Sequence, residues 1–364
     1  MESVKYILRK ARRKAINSLK RTRKYIHMRR RKVLDYPRTI QLPITYACNF
    51  DCVMCGMHHM AGRKDFTAQE LRTILSDKLF SRVTGIGVNG GEPFLKKDLV
   101  ECIRVMAETL PELRAFSFIS NGYFSVRILS KLREIRPICR EHGVRLHLAL
   151  SVDGVDDMRD FHRGRSGAWK NVNDTIKAIL QDKGSYVDGL GVICTITRHN
   201  IERIKEVEAW ADTTGLEAAY NIATVNVRIE NEDKVEDFSI FSDEHSRMLA
   251  QEFFYGQYLK TGSEKYFALY LFLRTGKRYA PCPCMFNEWI TLTPDSQIGF
   301  CATHSKNLGS ALENSAYSIV QENMPYLQEI REKFCRSCSH YMYELDLEGQ
   351  KLMLEDQYRN AYMR

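Results

Sequence analysis

The 364-residue sequence lacks any apolar run near the roughly 18 residues that a membrane-crossing helix needs, so we expect no spanning segment. Its N-terminus also lacks the apolar stretch of a secretory signal peptide. Eleven cysteines in a chain without an export signal favour a reducing compartment. We therefore expect a cytoplasmic protein whose cysteines bind metal. Base-stacking aromatic residues are scarce among the basic residues of the N-terminus, so no nucleic acid is expected as a partner.

Positive charge is concentrated at the N-terminus. Residues 1–40 hold fifteen Lys or Arg and two acidic residues, a charge of +13 against +9 for the whole chain, so the remainder carries −4. Apolar residues recur between the basic ones at helical spacing, which predicts a basic amphipathic helix within residues 1–38. Such a helix can make peripheral contact with an anionic membrane, such as the inner membrane surface. It can equally be a solvated extension that packs loosely on the main body.

From residue 39 the sequence alternates between short apolar strands and helices. Six strands are predicted, over residues 39–46, 83–89, 115–120, 146–152, 190–197 and 217–225. This βα repetition predicts an α/β fold with a parallel sheet, and α/β enzymes place their chemistry after such strands. The charged segment 228–237 is predicted to be a surface linker, and helices are expected over 242–258 and 266–275.

The most informative motif is Cys48-Asn-Phe-Asp-Cys52-Val-Met-Cys55, which follows the first predicted strand. Thiolates are the usual protein ligands of iron–sulfur clusters, and four is the normal number. With three thiolates, one iron lacks a protein ligand and can bind another molecule. The motif therefore predicts a reaction centre and not a structural metal site.

Glycine-rich and polar strings follow the next three strands. They are Gly90-Gly91-Glu92-Pro93, Ser120-Asn121-Gly122 and Ser151-Val-Asp153-Gly154. Taken singly, the first two strings are also common turn sequences. In this order, and at the ends of strands, they place polar groups beside the three cysteines.

The cysteine run followed by Gly90-Gly91-Glu92-Pro93 resembles the radical S-adenosylmethionine (radical SAM) enzymes. The resemblance implies a partial (β/α)6 barrel and a four-iron four-sulfur cluster whose open iron chelates the amine and carboxylate of SAM. Reductive cleavage of SAM then gives a 5′-deoxyadenosyl radical, which removes a hydrogen atom from the substrate. An external electron donor of the flavodoxin or ferredoxin type is implied as a partner.

The resemblance also implies the residues that bind these cofactors. The cluster ligands are Cys48, Cys52 and Cys55, and the SAM-binding residues are Met54, Gly90, Gly91, Glu92, Pro93, Ser120, Asn121, Ser151 and Arg163. A carboxylate such as Glu92 can accept hydrogen bonds from the SAM ammonium, and the two glycines allow close approach of the backbone.

The remaining SAM contacts follow from side-chain chemistry. Ser120 and Asn121 suit the ribose hydroxyls, and the thioether of Met54 can pack on the adenine. Ser151 and Arg163 lie in a segment that resembles the fourth-strand region of a subgroup with C-terminal clusters, where they would contact the SAM carboxylate. An arginine fork matches a carboxylate. The other interpretation of Arg163 is a salt bridge at the start of a helix.

Five further cysteines form a second group near the C-terminus. They are Cys282, Cys284, Cys301, Cys335 and Cys338. A hairpin is predicted over residues 289–301, with Ser296 in its turn where related sequences usually have glycine. Four thiolates can hold either Zn²⁺ or a cluster, and spacing alone does not separate them. Beside the first motif, this unit resembles a twitch or SPASM domain with one auxiliary four-iron four-sulfur cluster, because no cysteine follows Cys338.

Five cysteines for four ligand positions leave one spare. The separation of Cys284 from Cys301 fits the resemblance better than that of Cys282. The expected ligands are therefore Cys284, Cys301, Cys335 and Cys338. Cys282 is then either an inert thiol or a hydrogen-atom donor to a substrate radical, as in the epimerases of the family.

These assignments divide the chain into five parts. They are a basic extension over 1–38, a radical SAM core over 39–226, linker helices over 227–280, an auxiliary-cluster domain over 281–345 and a helical tail over 346–364. One auxiliary cluster implies that the substrate radical loses an electron and a proton, as in an aminocyclitol dehydrogenase with a similar cluster layout.

We therefore expect an oxidoreductase or epimerase that acts on a small or carrier-linked molecule, such as a sugar, a cyclitol or a cell-envelope precursor. The alternative is an enzyme that modifies ribosomal peptides, although residues 1–38 are too short and basic for a peptide-recognition domain. The proton must go to a base. The candidates for that base are His58, His59, His162 and His304.

Overall fold

The computed structural model describes residues 32–362, with side chains up to residue 359. The predicted basic helix therefore lies outside the described residues, apart from residues 32–38. Within the described part, eight strands form one sheet. They are β1 Thr39–Pro43, β2 Gly85–Asn89, β3 Ala115–Ser120, β4 Arg145–Ser151, β5 Gly189–Ile196, β6 Ala218–Ile222, β7 Trp289–Leu292 and β8 Ile298–Gly299.

Helices connect consecutive strands and continue after the last one. They are α1 Ala68–Leu75, α2 Leu99–Thr109, α3 Ser125–Glu141, α4 Asp157–His162, α5 Ala168–Gln181, α6 Lys183–Tyr186, α7 Ile204–Thr214, α8 Val235–Phe238, α9 Glu244–Thr261, α10 Glu264–Thr275, α11 Ala316–Glu322, α12 Met324–Lys333 and α13 Leu347–Tyr362. In the described part of the chain, no helix is both long and apolar enough to cross a bilayer.

The strand order is β6-β5-β4-β3-β2-β1-β7-β8. Strands β1 to β6 pair in parallel with their neighbours in sequence, which confirms the predicted parallel α/β fold. On its other side β1 also pairs in parallel with β7, and β8 runs antiparallel to β7. The predicted hairpin therefore exists and extends the sheet of the barrel.

Alternate strand residues face opposite sides of the sheet. Those under the helices are large and buried, for example Val88, Phe116 and Leu148. The opposite face carries small residues at the same strands, including Gly87 and Ala149. The sheet thus has one densely packed outer face and one open inner face.

Candidate functional site

The inner faces of β1 to β6 surround a space of about 910 Å³, which we call the central cavity. Small residues on its wall leave this space open: Gly85, Gly87, Ser117, Ala149, Gly189, Gly191 and Ala219. Barrels usually fill the same region with bulky branched side chains. The volume falls within the roughly 300–1,000 Å³ of pockets that hold small-molecule ligands.

Cys48, Cys52 and Cys55 lie together on the wall of the central cavity, in the loop after β1. The backbone N–H of Met57 donates to Cys55 Sγ at 3.4 Å, and Arg163 donates to Cys52 Sγ at 3.6 Å. Burial raises the pKa of Cys48 to about 12 and that of Cys55 to about 11. These thiols must release their protons when a metal centre binds, because the thiolate is the ligand. Three soft donors on one open wall suit a cluster with a free iron.

Two glycines hold the turn after β2 against the cysteine loop. Gly90 has a φ of 130°, and a Cβ there would lie 2.6 Å from the Thr45 carbonyl oxygen. A Cβ at Gly91 would overlap the Ala47 carbonyl. The N–H of Gly91 donates to Thr45 O at 2.9 Å, and that of Glu92 to Ala47 O at 2.8 Å. Side chains at either glycine would push the two loops apart, which explains the Gly-Gly pair.

Glu92 connects the ends of β2 and β3. Its buried carboxylate accepts hydrogen bonds from the Ser120 hydroxyl at 2.8 Å, the Asn121 N–H at 2.8 Å and the Phe94 N–H at 3.2 Å. Burial raises the pKa of Glu92 to about 7. Ser120 and Asn121 line the central cavity, while Pro93 begins a 3₁₀ turn behind it. The expected SAM contacts of these residues stay predictions.

Ser151 and Arg163 both reach the central cavity. Arg163 forms a buried ion pair with Asp153, which is the second residue after β4. Burial acts to raise the pKa of Asp153, but Arg163 and His162 hold that pKa below its usual value. The Arg163 Nε has no hydrogen-bond partner within the described structure. A contact of Arg163 with the SAM carboxylate stays a prediction.

The segment after β6 contributes to the site as well. Arg228 lines the central cavity and donates to Asn89 Oδ1 at 3.0 Å. The buried Asn231 donates to the carbonyl of Met54 at 2.8 Å, which fixes the cysteine loop beside Met54, itself on the cavity wall. The prediction that segment 228–237 is a surface linker is therefore wrong for Arg228 and Asn231. Their neighbours are exposed charges, and these dominated the sequence pattern.

The later cysteines meet in a second space, the auxiliary cavity. Its lining includes Cys282, Cys284, Cys301, Cys335 and Cys338. Because Cys282 and Cys284 both line it, the geometry does not choose between them. Cys282 is absent from the residues that line the central cavity, and its role as a hydrogen-atom donor stays a prediction. Among the described residues, no three His, Cys, Asp or Glu side chains converge as a single metal ion requires.

His340 and Tyr341 belong to the walls of both cavities. Arg278 donates to the carbonyls of Cys338 at 2.8 Å, His340 at 2.7 Å and Tyr341 at 2.8 Å. Tyr341 has a positive φ of 52°, and its hydroxyl donates to Gln41 Oε1 at 2.9 Å. A strained residue held by several bonds is typical of functional positions. Sequence reasoning missed this wall, because it depends on contacts between distant segments.

The four predicted base candidates do not line the central cavity in the part of the chain that the structure describes. His58 pairs with Asp51 at 2.9 Å, and His162 shares a hydrogen bond with Thr197 at 3.0 Å. His147 and His340 line the cavity instead. The sequence could have indicated His147, because this residue occupies an inward position of β4, where a polar residue is unexpected in a packed barrel.

Comparison with known proteins agrees with this geometry. Residues 42–211 match the family model described as the Radical SAM superfamily. The mycofactocin maturase MftC of Mycobacterium tuberculosis is 23% identical over 320 residues, which cover 85% of this chain and 77% of that protein. A probable GTP 3′,8-cyclase of Sulfurisphaera tokodaii is 22% identical over 275 residues, 72% of this chain and 80% of its own.

Among solved structures, anSMEcpe with bound AdoMet and Kp18Cys peptide has a TM-score of 0.60 and 15% identity, and the match covers 89% of this chain and 98% of that one. This likeness shows a shared fold. Residues 42–211 form a radical SAM domain, whose cofactors are a four-iron four-sulfur cluster and SAM. The predicted superfamily, partial barrel and cofactors are thereby confirmed.

Proposed function

We propose that the chain is a SAM-dependent radical oxidoreductase with its substrate in the central cavity. The observation that carries this proposal is the shared wall of the two cavities, formed by His340 and Tyr341. One cysteine group faces the substrate space directly, and the other lies behind that wall. Such a layout suits a reaction in which a substrate loses a hydrogen atom and then an electron.

Cys48, Cys52 and Cys55 would hold the first cluster and leave one iron for SAM. When bound, the first cluster would supply the electron that splits SAM into methionine and a 5′-deoxyadenosyl radical, and the auxiliary cluster would supply an acceptor for the electron that the substrate loses. The chain's own residues orient SAM beside this cluster. Those proposed are Met54, Gly90, Gly91, Glu92, Pro93, Ser120, Asn121, Ser151 and Arg163.

The auxiliary cluster would be held by Cys284, Cys301, Cys335 and Cys338, with Cys282 as the spare thiol. Zinc would draw four sulfurs to about 2.3 Å from one ion. We favour an iron–sulfur cluster in the auxiliary cavity instead, because the same chain contains a radical SAM core.

Two substrate classes fit. A sugar, cyclitol or carrier-linked molecule matches the size of the central cavity. A ribosomal peptide is the second class, favoured by the likeness to anSMEcpe with its bound peptide. A flavodoxin- or ferredoxin-like protein would donate electrons, and the basic residues 1–38 would bring the enzyme to an anionic membrane surface.

Iron content and SAM cleavage test this proposal. We expect anaerobically purified protein to bind about eight irons, four for each cluster, and to form 5′-deoxyadenosine from SAM with a strong reductant. Cys52→Ala should keep about half of the iron and lose 5′-deoxyadenosine formation. Cys139→Ala, which removes a buried thiol outside both cavities, is the matched control and should retain both properties. Wild-type protein that holds four irons would contradict the two-cluster assignment.

A further inference from the structure

Among the residues that the structure describes, four charged side chains line the central cavity: Arg163, Glu217, Arg228 and Lys265. Two of the three cations, Arg163 and Arg228, lie near an anionic group beside the first three cysteines. Arg163 pairs with Asp153, and Arg228 lies near Cys55, whose thiolate becomes anionic when it binds metal. Lys265 differs from both, because it has no such partner.

Lys265 reaches the cavity from the first turn of α10. In the described structure its ammonium makes no hydrogen bond or ion pair, and it lies 5.5 Å from the centroid of the Tyr266 ring. Burial lowers the pKa of Lys265 to about 8, and the attraction of Glu217 opposes this effect. The ammonium therefore remains mostly protonated at neutral pH. Glu217 itself is solvent-exposed, so it compensates that charge weakly.

The position of Lys265 relative to the cysteines follows from the strand directions. Glu217 directly precedes β6, so Lys265 lies near the strand starts, while the three cysteines follow the end of β1. Because β1 and β6 belong to one parallel sheet, these groups occupy opposite ends of the central cavity. The small inner-face residues between them, such as Gly191 and Ala219, leave room for a ligand that spans the two ends.

We propose that the central cavity binds a substrate with a phosphate or carboxylate group, which Lys265 holds at the end of the cavity opposite to the three cysteines. A half-buried ammonium without a hydrogen-bond partner is costly, and a charge-assisted hydrogen bond to an anion removes much of that cost. The inference rests on the proposed function, since the substrate's reacting part must lie beside the cysteines. The inference restricts both proposed substrate classes to molecules whose acidic group lies far from the carbon atom that reacts.

Titration calorimetry of the SAM-loaded holoenzyme tests this site with inorganic pyrophosphate and succinate as probes. We expect one saturable site for at least one probe, and a loss of about tenfold or more in affinity in Lys265→Met, because truncating one partner of a buried charge pair weakens binding strongly. Lys265→Arg keeps the charge and should stay within about threefold of wild type. A preference for pyrophosphate indicates a phosphate substrate, and a preference for succinate indicates a carboxylate.

Two controls separate this site from other anion binding. We expect the basic N-terminus to bind pyrophosphate equally in every variant, so the difference between isotherms reports the cavity. Lys260→Met removes an exposed lysine on α9 that pairs with Glu208 and Asp212, and it should leave the isotherm unchanged. Equal affinity in wild type and Lys265→Met, or no saturable site for either probe, would overturn the inference. Failure of the proposed function would instead appear as absent 5′-deoxyadenosine in wild type.

Discussion

Asp153 and Arg163 form an ion pair that is almost completely removed from solvent, directly behind Cys52. Asp153 also accepts the Thr195 N–H at 2.7 Å, and His162 Nδ1 lies 3.7 Å from its carboxylate. Charges in such surroundings depend on each other, because neither is stabilised by water. The pair therefore fixes the position of Arg163 beside the cluster thiol.

Breaking this pair at one end should destabilise the fold strongly. We expect Arg163→Met to lower the free energy of unfolding by about 3–5 kcal/mol, since it leaves the Asp153 carboxylate buried and unpaired. The double variant Asp153→Asn with Arg163→Met should recover part of this loss. Urea unfolding of the wild type, the two single variants and the double variant measures both effects, and an additive double variant would contradict the coupling.

The same pair sets a pH dependence of stability. The pKa of folded Asp153 lies below its unfolded value, so its contribution is complete above the usual Asp pKa of about 3.9 and is lost as the pH falls through the folded pKa. The stability difference between wild type and Arg163→Met should therefore shrink in acid.

The sequence alone could assign a role to some residues of the site and not to others. The spacing of Cys48, Cys52 and Cys55 needs no distant information, because the three ligands lie in one loop. Ser296 stands where related sequences usually have glycine, and its φ of 67° is the left-handed backbone conformation that glycine favours. Lys265 and Arg228 could not be assigned, since their roles depend on charges that are distant in sequence.

At the scale of elements, the segment 338–341 forms the wall between the two cavities. A single side chain, that of Arg278, holds this segment in place. Arg278 follows α10 and donates hydrogen bonds to three carbonyls of that segment and to the carbonyl of Ala280. One guanidinium thus joins the chain before Cys282 to the chain after Cys338. Carbonyls bound in this way keep the positive φ of Tyr341 in place.

Removal of this guanidinium should loosen the auxiliary cavity and spare the first cluster. We expect Arg278→Met to bind about four irons and lose the auxiliary cluster, because Cys335 and Cys338 lose their fixed position relative to Cys284. Lys277→Met, which removes the neighbouring exposed ion pair with Glu348, should keep about eight irons. Iron analysis with electron paramagnetic resonance distinguishes the two clusters. Full iron content in Arg278→Met would contradict this role.

Helices and strands could be predicted where the pattern of apolar residues that defines them lies within one short segment. The limits of β3 match the prediction, while β1 ends earlier, at Pro43, which has no N–H to continue the ladder. The helices over 242–258 and 266–275 were found with shifted ends. The pairing of β7 with β1 was not predicted, because it joins residues about 250 positions apart.

For the whole molecule, that pairing joins the core and the auxiliary unit in one sheet. Strand β1, which delivers the three cysteines, has β2 on one side and β7 on the other. Both cysteine groups are therefore positioned by the same strand neighbourhood, and a shift of β7 would move them relative to each other. The boundaries proposed at residues 226 and 281 therefore separate segments of the sequence, while the core and the auxiliary unit share one sheet.

The uneven charge of the whole chain carries a further prediction. With +13 in residues 1–40 and −4 in the remainder, attraction to an anionic surface should act through the N-terminal segment. We expect the full chain to co-sediment with phosphatidylserine-containing vesicles at low salt and to be released at about 0.5 M salt, where the Debye length falls to a few Å. Neutral phosphatidylcholine vesicles are the control. A full chain that stays in solution with anionic vesicles at low salt would exclude the membrane contact, since screening is then weakest and attraction strongest.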